Sequence, residues 1–412
     1  MERRYCSGFR KYQGAKIHIK KQELCKGDEG ITLKYAISVG EKEGELWYRF
    51  PADQEESISY EVADGVIVTL LPFALRGGYD IYSEIPMSER LWFQLTGQVI
   101  PQLALTSEEL WNTELHAPLC TPSYTPDRVA TAMSCGVDSF TTFFEHTHDM
   151  PKERWKIDLL TFFQNGAHHS GTIGHSDKED EVYAEQLAHV RRFCETVHYP
   201  LLDVASNLDA FLSAMFWNDS YHYTHSYRNA GFVLLLQKKI RTYYYAGAYD
   251  LNLFSTSLWD DPAHYEKWLL PNLSTDCTSF FSVATSMDRI EKMKYIAQFP
   301  ETYDHLLVCY AGGENCGTCV KCVRQLLTLD YLGLLDRYQN SFSVEEYRNN
   351  KTFYERRLLV LKKTDPFLEE VYQIAEKKGV RFSIRQRLDA ECYRLERFSK
   401  GVKSKLRELR HK

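Results

Sequence analysis

The N-terminal part of the chain consists of short hydrophobic runs separated by Gly, Asp and Glu. The runs KIHIKK, ITLKYAISV, ELWYRF, ISYEV and GVIVTLLPF are rich in β-branched and aromatic residues, which favours strands. SERLWFQL and TSEELWNTEL follow, and each begins with a Ser or Thr cap and acidic residues, as helices do. The pattern predicts a β-rich domain over 1–120, followed by a domain that begins at 128 after the proline-rich linker PLCTPSYTPD.

From residue 128 the pattern changes to a strand, a loop and a helix, repeated. RVATAM, IDLLTFF, PLLDVAS, TYYYAGA and HLLVCY are predicted strands, and VDSFTTFFEHTH and NAGFVLLLQKKI are among the helices between them. SFFSVA is either a further strand or part of a substrate loop. This alternation over 128–310 predicts an α/β domain with a parallel sheet and helices on both faces. Ligands bind such sheets at the carboxyl ends of the strands.

Charge and composition restrict the function. The 412 residues carry a formal net charge of -6, which argues against a protein dedicated to nucleic-acid binding. The segment 336–412 is predicted to be a basic helical extension, either a solvated tail or dimer arm, or an arm that binds tRNA or a partner protein. No apolar run approaches the ~20 residues of a membrane helix, and the start lacks the apolar core of a signal peptide. We therefore expect a cytoplasmic protein without membrane contact.

Four of the eleven cysteines lie in the stretch CYAGGENCGTCVKCVR. Their spacing is Cys309-x6-Cys316-x2-Cys319-x2-Cys322, and the short Gly-containing loops allow four thiolates to surround one ion. Four ligands with no open position indicate a structural site. We expect zinc here, with an iron–sulfur cluster or free thiols as alternatives, in a zinc region that spans 305–335.

The stretch AMSCGVDSF joins the first strand of the α/β region to its helix. Backbone N–H groups at such a turn converge on one point, where the helix dipole favours negative charge. Ser134 and Ser139 add hydroxyl donors, and Gly136 allows close approach of the backbone. Asp138 suits a magnesium ion on phosphate oxygens, or it fixes the loop. The sequence contains no Walker motif, so the stretch predicts another kind of phosphate site.

This loop resembles the PP-loop of N-type ATP pyrophosphatases, whose pattern is Ser-Gly-Gly-x-Asp-Ser. Ser134, Gly136, Asp138 and Ser139 match the pattern, whereas Cys135 replaces the first glycine. A cysteine there is strained if the position needs a positive φ, and it fits if the position only needs a small residue. In that family the loop grips the pyrophosphate of ATP while a substrate is adenylated.

The cysteine cluster makes the chain similar to the 7-cyano-7-deazaguanine synthase branch of PP-loop enzymes. That branch has a four-cysteine zinc site after the nucleotide domain, and Arg228-Asn229 and the turn from Gly247 to Asp250 also match it. The resemblance covers about 128–333 and implies a Rossmann-like, HUP-type parallel sheet of five strands with helices on both faces. The N-terminal strands and the basic tail lie outside it, which indicates a divergent, enlarged member. The cysteine pattern also resembles PP-loop proteins found beside anti-phage defence genes.

The resemblance implies that ATP and Mg²⁺ bind at the loop. A substrate carboxylate then attacks the α-phosphate, pyrophosphate leaves, and a nitrogen nucleophile displaces AMP from the acyl-adenylate. Asp138, Ser139 and Arg228 are the implied catalytic residues. The ATP site takes its residues from the loop and from two later strand ends: Ser134, Cys135, Gly136, Val137, Asp138, Ser139, Phe163 and Gly247.

The implied substrate residues come from several later loops and one helix start: Arg228, Asn229, Asp250, His168 and Asp276. Each also has a simpler interpretation. Arg228 suits a carboxylate or phosphate but is equally well a surface or ion-paired residue. Asn229 caps its helix or binds a polar edge, and Asp250 fits a plain turn.

Two further groups of residues are candidates. His168, His169 and His175 follow the second strand of the α/β region and either hold substrate or are ordinary loop residues. Asp276 and Cys277 lie in the expected substrate loop, where Cys277 is either a reactive thiol or a small buried residue.

Three functions remain open. The first is an AMP-forming carbon–nitrogen ligase that acts on a deazapurine or on a peptide or protein terminus, with a role in anti-phage defence and with a partner protein. The second is a PP-loop tRNA-modifying enzyme in which a cysteine passes sulfur, although the acidic net charge disfavours it. The third is a non-catalytic nucleotide-binding scaffold with a damaged loop.

Overall fold

The computed structural model of the chain describes residues 14, 16–167, 177–216, 221–388 and 390–394. Within these ranges the protein is an α/β structure. Its strands are β1 (Lys16–Gly27), β2 (Gly30–Val39), β3 (Lys42–Phe50), β4 (Asp80–Ser83), β5 (Met87–Ser88), β6 (Leu115–His116), β7 (Leu119–Cys120), β8 (Arg128–Ala132), β9 (Leu159–Phe163), β10 (Leu201–Ser206), β11 (Ile240–Ala246) and β12 (Ser279–Val283). Its α-helices are α1 (Asp64–Gly77), α2 (Glu89–Gln94), α3 (Ile100–Thr106), α4 (Val137–Thr147), α5 (Asp177–Val197), α6 (Leu208–Met215), α7 (Tyr221–Leu234), α8 (Glu266–Leu269), α9 (Arg289–Ile296), α10 (Val320–Leu332), α11 (Val344–Asn349), α12 (Lys351–Leu361) and α13 (Pro366–Lys377).

Most strands belong to one sheet of ten strands, in the order β12-β11-β8-β9-β10-β3-β2-β1-β4-β6. The strands β12, β11, β8, β9 and β10 pair in parallel, as their alternation with helices predicted. The sheet does not end there, because β10 pairs antiparallel with β3 through Ala205↔Arg49 and Ser206↔Tyr48. The predicted sheet of five strands with a separate β-rich domain is therefore corrected to one mixed, mostly parallel sheet of ten strands. The N-terminal strands cover an edge of β10 that would otherwise be open for pairing.

The first strands follow the expected pattern of one buried face. In β2 the side chains of Ile31, Leu33, Tyr35, Ile37 and Val39 are buried, at every second position. They contribute to a hydrophobic core that also includes residues of α1 and α7. The antiparallel N-terminal strands and two helices of the chain thus share one core.

The run GVIVTLLPF is a helix and not the predicted strand, because it lies inside α1. The residues from Asp64 to Leu75 are all buried, so α1 is buried around its whole circumference and has no exposed polar face. It packs closely on α7: a Cβ on Gly65 would lie 2.6 Å from the Gly231 carbonyl oxygen. A fully buried helix and a buried strand have the same sequence signature, and packing decides between them.

Other elements also differ from the prediction. ISYEV and HLLVCY form no strand among the described residues, and TSEELWNTEL forms no helix. SFFSVA is a strand, β12, and therefore the fifth parallel strand of the sheet. The helix predicted at NAGFVLLLQKKI begins earlier, at Tyr221, so that His222 and His225 lie within α7.

The chain divides into two compact units. The first comprises 1–134, 138–288 and 310–312 and contains the ten-stranded sheet. The second comprises 135–137, 289–309 and 313–412 and contains α9 to α13 and the four clustered cysteines. Among the described helices, none combines the length and the apolar character that a membrane span requires.

Candidate functional site

A cavity of about 240 Å³ lies at the carboxyl ends of three neighbouring parallel strands. Its walls include Ala132 at the end of β8, Phe163 at the end of β9 and Ala246 at the end of β11. Parallel strands bring their carboxyl ends to the same edge of a sheet, where open α/β sheets bind ligands. The cavity therefore occupies the place that the strand–helix alternation predicts for a ligand.

The predicted phosphate loop forms one wall of this cavity. Ser134, Asp138 and Ser139 all line it, and the hydroxyl oxygens of the two serines lie 3.2 Å apart. Asp138 and Ser139 belong to the first turn of α4, which begins at Val137. Hydroxyl groups and the N-terminal dipole of a helix are thereby directed at the same space, which favours an anion.

Cys135 adopts the backbone conformation of a glycine. Its φ is 56°, in the left-handed region that costs other residues about 1–2 kcal/mol, and its side chain is fully buried. Its carbonyl oxygen accepts a hydrogen bond of 2.9 Å from the Leu307 N–H. The position that holds glycine in the PP-loop pattern thus has a positive φ in this chain, and Cys135 is strained. Gly136 lies between this residue and Val137, whose side chain is buried.

Asn229 lines the opposite part of the cavity from helix α7. The residue is only 7 % exposed, and its Oδ1 atom has no hydrogen-bond partner among the described residues. A buried polar atom without a partner costs about 1–3 kcal/mol, so this acceptor is suited to a ligand donor in the cavity. The substrate role predicted for Asn229 agrees with this position.

Aromatic side chains form the rest of the wall. Phe163, Tyr221, Tyr243 and Tyr245 line the cavity, and Phe163 stacks on the buried Phe232 with ring centroids 5.1 Å apart. Burial raises the pKa of Tyr243 and of Tyr221 to about 12, so both phenols are neutral donors near pH 7. Flat rings with hydroxyl tips favour a planar, polar ligand such as a nucleobase.

Arg228 lies behind the wall rather than on it. The residue is fully buried, and its Nη1 donates hydrogen bonds to Asp209 Oδ1 at 2.6 Å and to the Asn165 carbonyl oxygen at 3.2 Å. Asn165 and Tyr221, whose ring lies 5.6 Å from the guanidinium, are both lining residues. Arg228 is therefore an ion-paired residue, as one of the two interpretations predicted. Its contacts hold Asn165 and Tyr221 of the cavity wall in position.

Gly166 makes this arrangement possible. A Cβ at Gly166 would lie 2.3 Å from Arg228 Nη1 and 2.4 Å from Asp209 Oδ1, and its φ of 92° is unfavourable for other residues. The chain after β9 can thus pass directly over the ion pair only with glycine here.

Gly247 and Asp250, two of the predicted site residues, make local structural contacts outside the cavity wall. The Gly247 N–H donates to the Val283 carbonyl oxygen at 3.0 Å, and a Cβ there would lie 2.6 Å from Thr285 Cγ2. Asp250 accepts a hydrogen bond of 2.7 Å from the Asn252 N–H and caps a short helical turn. Neither residue is among the described residues that line the cavity.

The predicted substrate loop also lies outside the cavity wall. Asp276 is exposed and pairs with Arg90 at 3.6 Å. Cys277 is buried beside the Pro122 carbonyl oxygen, and burial raises the pKa of its thiol. The histidine group of His168, His169 and His175 lies outside the described residues.

The sequence analysis missed a hydrogen-bonded chain beside the cavity. His225 Nδ1 lies 2.7 Å from the Tyr245 hydroxyl, and His225 Nε2 lies 3.2 Å from Asp261 Oδ1. His225 is four residues before Asn229, one helical turn away on the same face of α7. This spacing could have predicted that His225 lies near the same site as Asn229. Asp261 comes from a distant loop, and no local pattern connects it to His225.

The second unit contains the cysteine cluster. The four Sγ atoms of Cys309, Cys316, Cys319 and Cys322 all lie within 4.8 Å of one another. Two of these distances are 3.9 and 4.0 Å, close to the edge of about 3.8 Å of a tetrahedron with zinc–sulfur bonds of about 2.3 Å. The predicted four cysteines therefore do come together, and they can bind a metal ion such as zinc.

Backbone groups and one amide side chain support this cluster. The Cys319 N–H donates to Cys316 Sγ at 3.3 Å, and the Cys322 N–H donates to Cys319 Sγ at 3.4 Å. Asn315, for which the sequence predicted no role, accepts hydrogen bonds from the N–H groups of Val308 and Cys309 through Oδ1. Such contacts hold ligands in place around a metal ion.

No protein-family model, curated protein or solved structure matches this chain. The geometry of the cavity and of the cysteine cluster is therefore the basis for proposing a function.

Proposed function

We propose that the chain is an ATP-dependent, AMP-forming ligase that adenylates a substrate carboxylate and transfers it to a nitrogen nucleophile. The observation that carries the proposal is that Ser134, Asp138 and Ser139 share one cavity with the unpartnered amide oxygen of Asn229. The wall formed by the β8–α4 loop suits an anion, and the polar wall with Asn229 suits a nucleobase. Both walls face the same space. That combination fits a nucleotide better than a bare anion or an apolar molecule.

In this proposal the phosphates of ATP lie over the β8–α4 loop. The hydroxyls of Ser134 and Ser139 and the first turn of α4 donate to the phosphate oxygens. Asp138 is the residue that would hold Mg²⁺, since a carboxylate on the cavity wall is a ligand that this ion prefers. The positive φ of Cys135 supports the resemblance to the PP-loop, where glycine occupies the same position.

The aromatic wall is proposed to bind the planar part of the nucleotide or of the substrate. Asn229 Oδ1 accepts a hydrogen bond from an N–H group of that ring, which satisfies its buried acceptor. Arg228 positions Asn165 and Tyr221 rather than contacting substrate. This chemistry works through positioning and charge stabilisation, as in other phosphoryl-transfer sites.

The substrate is proposed to be a deazapurine carboxylate or the terminus of a peptide or protein, in a role related to anti-phage defence. The five parallel strands are proposed to be a HUP-type nucleotide sheet within the larger sheet. Zinc is the proposed metal of the cysteine cluster, because four thiols at tetrahedral spacing favour it over the oxygen-preferring ions.

The test is incubation of the protein with ATP, Mg²⁺, 7-carboxy-7-deazaguanine and ammonium ions, with AMP and product mass as readouts. We expect AMP and an amide or nitrile, and a loss of at least about 100-fold in Asp138→Ala, because a group that stabilises transition-state charge is removed. Asp250→Ala, a cap that is not a lining residue, is the matched control and keeps its rate. Unchanged AMP formation in Asp138→Ala would show that the site is wrong.

A further inference from the structure

We propose that Asp261, His225 and Tyr245 form a proton relay that ends in the cavity and accepts the proton of the attacking nitrogen nucleophile. The proposal rests on the proposed function and adds a residue set for its second step. The relay has a carboxylate, an imidazole and a phenol joined in one hydrogen-bonded line. Its last member, Tyr245, is a wall residue of the cavity that also contains Asn229 and the phosphate loop.

The hydrogen-bond distances join the three groups of the relay in one line. Asp261 Oδ1 lies 3.2 Å from His225 Nε2, and His225 Nδ1 lies 2.7 Å from the Tyr245 hydroxyl. If Nε2 carries the proton that the carboxylate accepts, then Nδ1 has a lone pair directed at the phenol. The carboxylate fixes the imidazole tautomer, as in the hydrolase triads.

Strand geometry explains why Tyr245 reaches the cavity. Tyr243 and Tyr245 alternate with Tyr244 along β11, so they project from the same face of the sheet. Both line the cavity, whereas the Tyr244 hydroxyl donates to the Trp155 carbonyl oxygen. The relay therefore lies on the same side of β11 as the cavity, whose wall also includes Asn229.

The end groups have the protonation states that the relay needs. Burial raises the pKa of the Asp261 carboxyl, but the hydrogen bond and the charge of His225 outweigh burial, with help from the Ala263 N–H and the charge of His222, and the net pKa is below the ordinary value. Burial, with the nearby Glu266 charge, raises the pKa of Tyr245 well above the ordinary value. Asp261 is therefore charged and Tyr245 protonated near pH 7.

Other polar groups face the relay and define its surroundings. The His222 Nε2 atom lies 3.7 Å from Asp261 Oδ2, and the Tyr249 hydroxyl donates to the same oxygen at 3.4 Å. The Ser226 hydroxyl lies 3.2 Å from His225 Nδ1, and the Tyr221 ring is 6.0 Å from the imidazole. His225 and Asp261 are largely shielded, with side chains 15 % and 10 % exposed, whereas His222 is 62 % exposed. His225 and Asp261 are therefore shielded from solvent, and the exposed imidazole of His222 lies beside Asp261 at the outer end of the relay.

In the proposed second step, proton transfer along the relay accompanies acyl transfer to nitrogen. The nucleophile nitrogen forms a bond to the acyl carbon while the bond from that carbon to the AMP oxygen breaks. Its N–H proton passes to the Tyr245 oxygen as the phenolic proton passes to His225 Nδ1. The imidazolium is stabilised by the Asp261 carboxylate, AMP leaves as its phosphate anion, and His225 then returns the proton to water. No oxidant or further reactant is needed.

Two half-reactions separate this relay from the adenylation chemistry. ATP–pyrophosphate exchange reports adenylation of 7-carboxy-7-deazaguanine, and amide formation with ammonium ions reports the second step. We expect Tyr245→Phe and His225→Gln to lower amide formation at least about 100-fold relative to exchange, the usual contribution of general base catalysis.

His116→Gln is the matched control. His116 also lies beside a carboxylate, Glu114 at 3.2 Å, and also stacks on a tyrosine, Tyr82 at 4.4 Å, but it is not a lining residue of the cavity. It should keep the wild-type ratio of the two half-reactions. An unchanged ratio in both Tyr245→Phe and His225→Gln would overturn the relay.

A measurement without turnover decides the relay even if the proposed ligase activity fails. In ¹⁵N-histidine-labelled protein, we expect the Nε2–H tautomer for His225 and a shift of its Nδ1 resonance in Tyr245→Phe. Absence of exchange together with these two results would reject the ligase but leave the hydrogen-bonded chain in place. The Nδ1–H tautomer, or no shift in Tyr245→Phe, would overturn the relay.

Discussion

The cysteine cluster and the cavity assemble their polar groups over very different lengths of chain. The cluster takes all four thiols from 309–322, a single loop and the start of α10. The cavity takes its groups from β8, the start of α4, β9, α7 and β11, which lie within 128–246. One site depends on local turns around an ion, and the other on the packing of a sheet and a buried helix.

This difference predicts how each site responds to damage. A metal cluster couples ligand geometry to folding, so removal of one ligand affects its surroundings as a whole. The cavity is held by close contacts such as Gly166 over the Arg228–Asp209 pair, so its residues tolerate changes that keep those contacts. Substitutions in the cysteine cluster and in the cavity should therefore differ in the size of their effects and in the measurements that detect them.

The largest effect is expected for Cys322→Ser. Cys322 is fully buried in the cluster, and structural zinc sites contribute about 10–16 kcal/mol to the folding of small domains. We expect loss of the metal and of cooperative thermal unfolding for the second unit, measured by elemental analysis and calorimetry of the whole chain. Cys392→Ser, at an exposed cysteine outside the cluster, is the control and should change neither. Less than about half an equivalent of metal in the wild type, with four titratable thiols, would contradict the assignment.

A smaller loss is expected for Arg228→Met. Its guanidinium is fully buried and pairs with Asp209, and removal of one partner of a buried pair costs about 3–5 kcal/mol. Urea unfolding should show this loss, and the double variant Arg228→Met with Asp209→Asn should recover a large part of it, because no unpaired carboxylate remains. Equal stability of the single and double variants would mean that the pair does not support the cavity wall.

The smallest effect is expected for Cys135→Gly, and it has the opposite sign. Glycine adopts the φ of 56° without strain, so the variant should gain about 1 kcal/mol, reduced by the loss of the buried thiol. Chemical denaturation measures the change, and Cys194→Gly, within helix α5, is the comparison that should lose stability. A marked loss in Cys135→Gly would show that thiol packing, and not backbone strain, dominates at this loop.

The sequence predicted the parts of the molecule that depend on local patterns. The thiol spacing from Cys309 to Cys322 indicated a metal cluster, and the alternation after 128 indicated the parallel strands. Ser134, Asp138 and Ser139 could be placed on a ligand-facing loop, because a strand–turn–helix junction has one orientation relative to a parallel sheet.

Features that depend on distant pairing could not be predicted in this way. The join of β3 to β10 brings Arg49 beside Ala205, and no local signal encodes that partnership. The run inside α1 is buried on every side, so no amphipathic pattern distinguished it from a buried strand. His225 and Asp261 belong to different elements, and their contact depends on the fold.

Equilibrium binding of ATP with Mg²⁺, measured by calorimetry, reports the proposed nucleotide site without the need for a substrate. We expect saturable binding of one ATP, weakened at least about tenfold, or about 1.4 kcal/mol, in Ser139→Ala and in Asn229→Leu. Arg241→Ala, at the opposite end of β11 from the cavity, should bind as the wild type does. No binding, or binding that neither cavity substitution weakens, would show that the cavity is not a nucleotide site.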